Sequence, residues 1–324
     1  MHFTRKSTHV LVRAFSLATS LIFASAAQGQ SEVFAAPATT APVTAPVTAP
    51  ASATAAIDSS RDSDALHFAL RPALWMARVR GDTTFGGGSM DVDDSLGLNG
   101  YEATFNGELS ASWGVFYEVM VDGWFFSTSA TLPSQITGTF GSVNIAVGDQ
   151  LATEFAGASA GGEFDVTLWQ PFADRKTPWS VAVPQVKNTT STGGYKTDLR
   201  IKAIGSLRWY SASMSVNDST SAQSDSWALS ALMPGIGFGF DLTFDTAGRI
   251  PLVQSVRLEA AGGVGSNFTD GQEFTFARAG LSVMFSATCG AEFGYRLENF
   301  TLDNNSANFD GGVQGLYLGA NFKF

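Results

Sequence analysis

The sequence predicts an all-β fold: a transmembrane antiparallel up-and-down β-barrel of about ten strands, with eight or twelve as alternatives. Three observations predict it. Polar and apolar residues alternate with a period of two through segment after segment, the pattern of strands lying between an apolar and a polar medium. Connectors alternate between tight turns and longer loops, as the two ends of a membrane barrel do. The 324 residues also combine 34 Gly and 26 Phe with a charged share of 15%, which favours strands and turns over helices.

The N-terminus reads as an export signal. Arg5, Lys6 and Arg13 precede the apolar run Ala14 to Ala27, which ends in small residues. The run is short of the roughly 20 residues a spanning helix needs, and cleavage is expected between Ala26 and Gly29. No Cys lies near the cut, so no lipid-attachment site is present there. Residues 1–29 are therefore a signal peptide. Residues 30–64 contain Ala-Pro-Val-Thr units between Ala36 and Ala56, which favour an extended, disordered spacer over a core. The barrel is expected over 65–324.

Removing residues 1–30 leaves 16 Lys+Arg against 29 Asp+Glu, a net charge of −13. Nucleic acid is excluded as a partner on that balance. The single Cys, Cys289, excludes an internal disulfide framework and a multi-Cys metal site. His67 is the one histidine outside the signal.

The first strand is expected over Leu66–Arg80. Next, Gly100–Trp113 places Glu102, Thr104, Asn106, Glu108, Ser110 and Ser112 opposite Tyr101, Phe105, Leu109 and Trp113. A one-residue slip would put two glutamates into the apolar phase, so the register is fixed. Glu118 and Asp122 then oppose Val119, Val121 and Phe125. A weaker pattern covers Gly141–Ala158, and Gly161–Val186 is ambiguous. In Asp198–Tyr210, Arg200, Lys202, Ser206 and Arg208 oppose Leu199, Ile201, Leu207 and Trp209, with Ile204 the exception on the polar side. Trp227–Phe244 follows.

Arg257 and Glu259 oppose Val256, Leu258 and Ala260; Arg278 lies in Glu273–Phe285; Glu292, Arg296 and Glu298 oppose Ala291, Phe293, Tyr295 and Leu297. In Gly315–Phe324, Leu316, Leu318, Ala320, Phe322 and Phe324 share the apolar face and Tyr317 lies on the polar one. Tight turns are expected at 113–114 and 287–289, and long polar loops at Gly81–Asn99, Asn217–Ser226 and Asp303–Gly312. An even strand count puts both barrel ends in the periplasm. Pro171–Tyr195 is a long connector where a short one is expected.

The apolar medium reads as lipid. Trp113, Trp209, Phe322 and Phe324 near strand ends suit an interfacial girdle. The polar faces hold Glu102, Glu108, Glu118, Asp122, Glu259, Glu292 and Glu298 against Arg200, Lys202, Arg208, Arg257, Arg278 and Arg296. Directed into one narrow lumen, these charges must pair, because an unpaired buried charge costs several kcal/mol.

The stretches SVRLEAAGGVGSNF (Ser255 to Phe268), GAEFGYRLENFTLD (Gly290 to Asp303) and FDGGVQGLYLGANFKF (Phe309 to Phe324) resemble the closing strands of a porin-like outer-membrane β-barrel family of Gram-negative bacteria. LRIKAIGSLRWYSASMSV (Leu199 to Val216) resembles its central strand, and LWMARVRGD (Leu74 to Asp82) followed by DDSLGL (Asp93 to Leu98) its first strand and loop. The resemblance covers Leu66 to Phe324. It implies location in the cell outer membrane, among outer-membrane lipid and lipopolysaccharide. It also implies an assembly signal in Tyr317, Phe322 and Phe324 for the barrel-assembly machinery. No catalytic residue, cofactor or metal comes with it.

The expected role is a small porin-like diffusion channel or a structural envelope protein. About ten strands are too few for a wide pore, which takes roughly 16–18. A membrane-embedded lipid hydrolase or acyltransferase is the alternative, and would want an imidazole beside a serine. His67, the sole candidate, falls at the periplasmic start of the first strand, and Cys289 falls in a turn. A surface ligand-binding barrel is a further alternative, with Trp169, Trp179 and Tyr195 as a stacking platform. Asp91, Asp93 and Asp94 offer oxygen ligands to a divalent cation, although solvated loop acids are the plainer reading.

Overall fold

A computed structural model describes residues 66–113, 116–172, 196–268 and 271–324. Its strands are β1 (Leu66–Phe85), β2 (Gly88–Asp91), β3 (Glu102–Trp113), β4 (Tyr117–Pro133), β5 (Gly138–Phe140), β6 (Val143–Ile145) and β7 (Gln150–Trp169). There follow β8 (Lys196–Asp218), β9 (Gln223–Ile250), β10 (Val253–Ser266), β11 (Glu273–Met284), β12 (Cys289–Asn304) and β13 (Ala307–Lys323). Ten of these, β1, β3, β4 and β7 to β13, pair antiparallel with their neighbours in chain order. β13 closes the ring on β1, from Ala69↔Lys323 to Phe85↔Ala307. The expected up-and-down barrel is the fold, with ten strands. Closure leaves no free edge around the ring at its base, the condition a sheet must meet in hydrocarbon.

Strand direction fixes two ends. The turn end carries the start of β1 and the close of β13, tied by mutual backbone hydrogen bonds between Phe68 and Phe324 at 3.3 and 2.9 Å. The opposite end is a tall, uneven rim. β8 and β9 stay paired to Asp218↔Gln223, and β12 and β13 to Asn304↔Ala307. The segments expected as loops at Asn217–Ser226 and Asp303–Gly312 are therefore mostly extended hairpin. Val216 and Trp227 flank the first segment, Leu302 precedes the second and Phe309 lies within it; all four are buried, and this apolar row holds the strands together past the membrane level. Likewise β1 runs on to Phe85, and the weak pattern at Gly141–Ala158 divides into the end of the β5–β6 hairpin and the first part of β7.

The outer face carries an apolar belt. On β8 it comprises Leu199, Ile201, Leu207 and Trp209, and on β9 Leu232, Ile236, Phe238 and Phe240. Ile236 is 70% exposed and Phe238 66%, values tolerable in lipid but costly in water for so many neighbouring large side chains. At the turn end Trp113, Tyr117 and Phe164 form a stacked outer cluster, with centroids 5.8 and 6.1 Å apart along the row. Trp209 lies in mid-strand, opposite Ala160 and Leu232, and not near a strand end as expected. It marks the upper margin of the belt, because β8 continues beyond that margin as Ser211, Ser213 and Ser215 on the same face.

Beyond that margin the two faces exchange character. Below it the outside is apolar and the inside charged; above it the outside is polar and the inside apolar. On β9 the inward residues are Trp227, Leu229, Ala231 and Met233 above and Asp241 below. On β12 they are Phe300 and Leu302 above, Arg296 and Glu298 below. The period of two is unbroken, so one continuous sheet serves both a lipid belt and a water-facing wall.

Candidate functional site

The lumen is the feature these strands build. Its lower layer is an ion network assembled from inward residues of nine strands. Arg208 on β8 is fully buried and lies 3.2 Å from Asp122 and 3.6 Å from Glu298, with Glu163 a closer partner. Arg296 contacts Glu298 at 2.5 Å, also reaches Asp122, and donates to Asn106 at 3.0 Å. Arg278 grips both oxygens of Glu163 at 3.1 and 2.9 Å and approaches Glu259 at 3.4 Å. Such forked pairing is the strong geometry for a guanidinium.

The chain of contacts continues toward the turn end. Arg257 bridges Glu259 at 2.8 Å and Asp241 at 2.9 Å. Lys202 faces Asp241, Glu118 and Asp165 at 2.9, 2.8 and 3.4 Å. Arg71 binds Glu108 at 2.8 Å and Glu259 at 3.4 Å, and Glu292 accepts from the Tyr317 hydroxyl at 2.9 Å. Room for these long side chains comes from small neighbours. A Cβ at Gly161, the cross-strand partner of Arg208, would stand 2.8 Å from the Arg208 Cγ.

Eleven of the thirteen residues expected in a lumen charge network come together: Glu108, Glu118, Asp122, Lys202, Arg208, Arg257, Glu259, Arg278, Glu292, Arg296 and Glu298. Two stand apart. Glu102 has the inward parity but lies exposed at the rim, where it accepts from Thr128 Oγ1 at 3.5 Å. Arg200 pairs with Asp198 at 2.9 Å near the turn end. Both sit where strands leave the closed section, and water reaches them.

Four network members escaped sequence reading: Arg71, Glu163, Asp165 and Asp241. Their signal was parity with the residues around them, obscured by Pro72 beside Arg71 and by the small residues that flank Glu163. Among the described residues the network holds nine carboxylates and six cations, and so is more acidic than the seven acids against six bases expected from the sequence.

Tyr317 turns inward to Glu292 and is not on the outer face with Phe322 and Phe324. Ile204, the apolar exception on its strand, is 3% exposed and fills the lumen among the ion pairs.

The upper layer is aromatic. Tyr210 stacks on Phe300 at 4.8 Å between centroids, Phe300 meets Phe309 at 5.4 Å, and Phe309 meets Phe155 at 5.3 Å and Trp227 at 6.0 Å. Trp124 joins the layers: its ring packs edge-on to Trp75 at 5.7 Å, while its Nε1–H donates to Glu298 at 3.0 Å. Arg208 makes a second joint, its guanidinium 5.2 Å from the Phe276 ring centre.

The top is stoppered by the connectors. Val92, Leu96 and Leu98 from the segment after β2, and Phe140, Val143 and Ile145 from the β5–β6 hairpin, are buried in the aromatic cluster. Ser142 N–H donates to Asp225 at 2.8 Å, and the Thr153 hydroxyl donates to the Leu96 carbonyl at 2.9 Å. Gly141, at φ +57°, allows the hairpin to approach Phe85 and Asp225 where a Cβ would collide. The expected polar loop at Gly81–Asn99 is thus half plug. Within the network a cavity of about 20 Å³, bordered by Arg71, Glu108, Glu259 and Glu292, has room for a single water-sized guest.

The remaining candidates lie elsewhere. His67 faces Ser112 across the β1–β3 pair at the turn end, and Cys289 is exposed at the same end. Asp91, Asp93 and Asp94 cluster at the rim, with ligand oxygens within 4.8 Å of one another. Trp169 closes β7. Trp179, Tyr195 and most of the Pro171–Tyr195 connector lie outside the described residues, as do the signal peptide and spacer.

No protein-family model matches the chain, and no curated protein matches it. Among solved structures it is similar to Ail, the attachment invasion locus protein of Yersinia pestis, at 11% identity over 80% of this chain and 98% of that one, with a TM-score of 0.33. It is similar to the outer membrane protease OmpT from Escherichia coli at 10% identity over 80% and 97%, TM-score 0.40. The Pseudomonas putida toluene transporter TodX is similar at 7% identity over 81% and 90%, TM-score 0.26. Ring closure and the lipid belt, both read from this chain itself, decide its class. The fold is that of an outer-membrane β-barrel.

Proposed function

We propose that this protein is a non-conducting structural barrel of the outer membrane, with its rim on the cell surface and its turn end in the periplasm. One observation carries the reading: the lumen is filled from the Lys202 cluster to the Phe140 plug, by ion pairs below and aromatic rings above. Ions crossing it would have to displace several mutually paired charges, each costing several kcal/mol to strip of its partner. A small diffusion channel is the reading this disfavours. The export signal expected at residues 1–29 supports delivery to the envelope. The outward Phe322 and Phe324 suit recognition by the barrel-assembly machinery. The belt suits contact with outer-membrane lipid and lipopolysaccharide. Lipid-modifying chemistry receives no support from His67 or Cys289, which both lie at the turn end.

Single-channel recording of the refolded protein in a planar bilayer tests the proposal. Folded, inserted protein is expected to give a flat trace at any moderate voltage. Discrete, reproducible conductance steps would overturn it and make the lumen a pore.

A further inference from the structure

The tall wall above the lipid belt is acidic. Asp91, Asp93, Asp149, Glu154, Asp225 and Asp310 are among its carboxylates, and two arginines are its cations among the described residues. Both sit on the outer face of β1. Leu74 and Met76 on that face belong to the belt, 54% and 42% exposed; Arg78 and Arg80 are the next outward positions. Residues two apart on one strand face stand about 7 Å apart. The pair therefore lies level with the headgroups of whatever lipid surrounds the barrel.

Its chemistry is open to a ligand. Arg78 is paired with no carboxylate among the described residues, and its buried Nε has no hydrogen-bond partner. It is held against the exposed ring of Tyr101, 5.1 Å from the centroid, a contact that orients the guanidinium without neutralising it. Arg80 keeps a side chain half exposed and meets Asp93 at 3.7 Å. Arg71, Lys202, Arg208, Arg257, Arg278 and Arg296, by contrast, are committed inward to the ion network.

We propose that Arg78 and Arg80, with Tyr101, form a binding site for a phosphate-bearing lipid headgroup of the outer leaflet. A guanidinium matches phosphate oxygens with forked N–H donors. An arginine pair on an otherwise acidic wall would select the one lipid position able to bring anionic oxygen to it. The inference rests on the outer-membrane reading above.

The test uses the full folded protein in detergent and, as probe, lipid A carrying both phosphates against the same lipid stripped of them. Binding is read by native mass spectrometry. The wild type is expected to hold the phosphorylated lipid about tenfold more tightly, the scale of 1.4 kcal/mol. The pair Arg78→Gln with Arg80→Gln should lose that preference, and Arg78→Lys with Arg80→Lys should keep part of it. If the glutamine pair does not fold, Arg80→Gln alone, at a half-exposed position, gives the same readout with a smaller loss. Equal binding of the two lipids by wild type overturns the site. So does a preference that survives the glutamine pair but vanishes with EDTA, since the rim carboxylates would then hold phosphate through divalent ions. Insertion into lipid vesicles is scored separately: failure to insert overturns the barrel reading together with this one, whereas insertion without phosphate preference overturns this one alone.

Discussion

On β8 the inward side chains are Lys202, Ser206 and Arg208, with Ile204 among them, below the membrane margin and Tyr210, Ala212, Met214 and Val216 above it. Outward, Leu207 and Trp209 give way to Ser211, Ser213 and Ser215. The two halves of one strand obey opposite rules because they have different solvents. Where lipid surrounds the wall, the apolar side chains are already satisfied outside, and the lumen is the place left for charge. Where water surrounds it, the apolar side chains have to find one another inside. The lower layer is therefore held by partner satisfaction, and the upper layer by area removed from water. These are different kinds of stability, and they fail differently.

The largest effects separate them. Replacing Arg208 with Met leaves Asp122, Glu163 and Glu298 without a shared cation in a dry interior, and is expected to cost about 3–5 kcal/mol. Replacing Phe309 with Ala empties the centre of the aromatic layer at a similar cost, about 3–5 kcal/mol. Unfolding in guanidinium, followed by the mobility shift of folded barrels, gives the totals. Amide exchange gives the location: loss of protection should concentrate on the belt strands for Arg208→Met and on the rim hairpins for Phe309→Ala. The same exchange pattern in both variants would mean that the layers are one cooperative unit.

The margin between the layers can be tested from outside. Phe238 and Ala228 lie on the same outer face of β9, one in the belt and one above it. Phe238→Arg is expected to cost about 2–4 kcal/mol, as charge on a lipid face does near mid-membrane. Ala228→Arg should fall within about 0.5 kcal/mol of wild type, as exposed substitutions in water do. Comparable penalties at both positions would place Ala228 in lipid and move the margin up the wall.

The barrel was legible from the sequence because period-two alternation survives any choice of solvent. Gly100–Trp113 and Ala291–Glu298 read correctly on parity alone, and eleven network charges followed from that parity. The upper layer was not legible, because the reading treated one face as polar along its whole length. At Tyr210 on β8 and Phe300 on β12 the parity holds while the face changes from charged to aromatic, so the inward rings looked like loop or girdle residues. The plug was hidden for a related reason: Val92, Leu96 and Leu98 share one parity, but Asp94 interrupts it and Asp91, Asp93 and Ser95 mark the segment as a polar loop, and only the closed ring shows what they fill. Arg78 and Arg80 were visible but had no meaning until the belt beneath them fixed their height.

The smallest expected effect lies where the plug meets water. Asp93 sits beside Asp91 and Asp94 in the segment leading to Leu96 and Leu98. Burial, with the hydrogen bond and charge of Asp91 added, pushes its carboxyl above the ordinary aspartate value. A carboxyl whose folded pKa is raised binds its proton more tightly in the folded state than in the unfolded one. Ionising it opposes folding, so acidification through the raised pKa, toward the ordinary value of about 3.9, relieves that opposition. The Val92–Leu98 segment should therefore gain exchange protection as pH falls from neutral, once intrinsic exchange rates are corrected for, and Asp93→Asn should give that gain at neutral pH. Protection that instead declines with acid would mean that the 3.7 Å contact between Arg80 and Asp93 outweighs burial. The plug would then be held in place by an ion pair, by the rule of the lower layer and not of the upper.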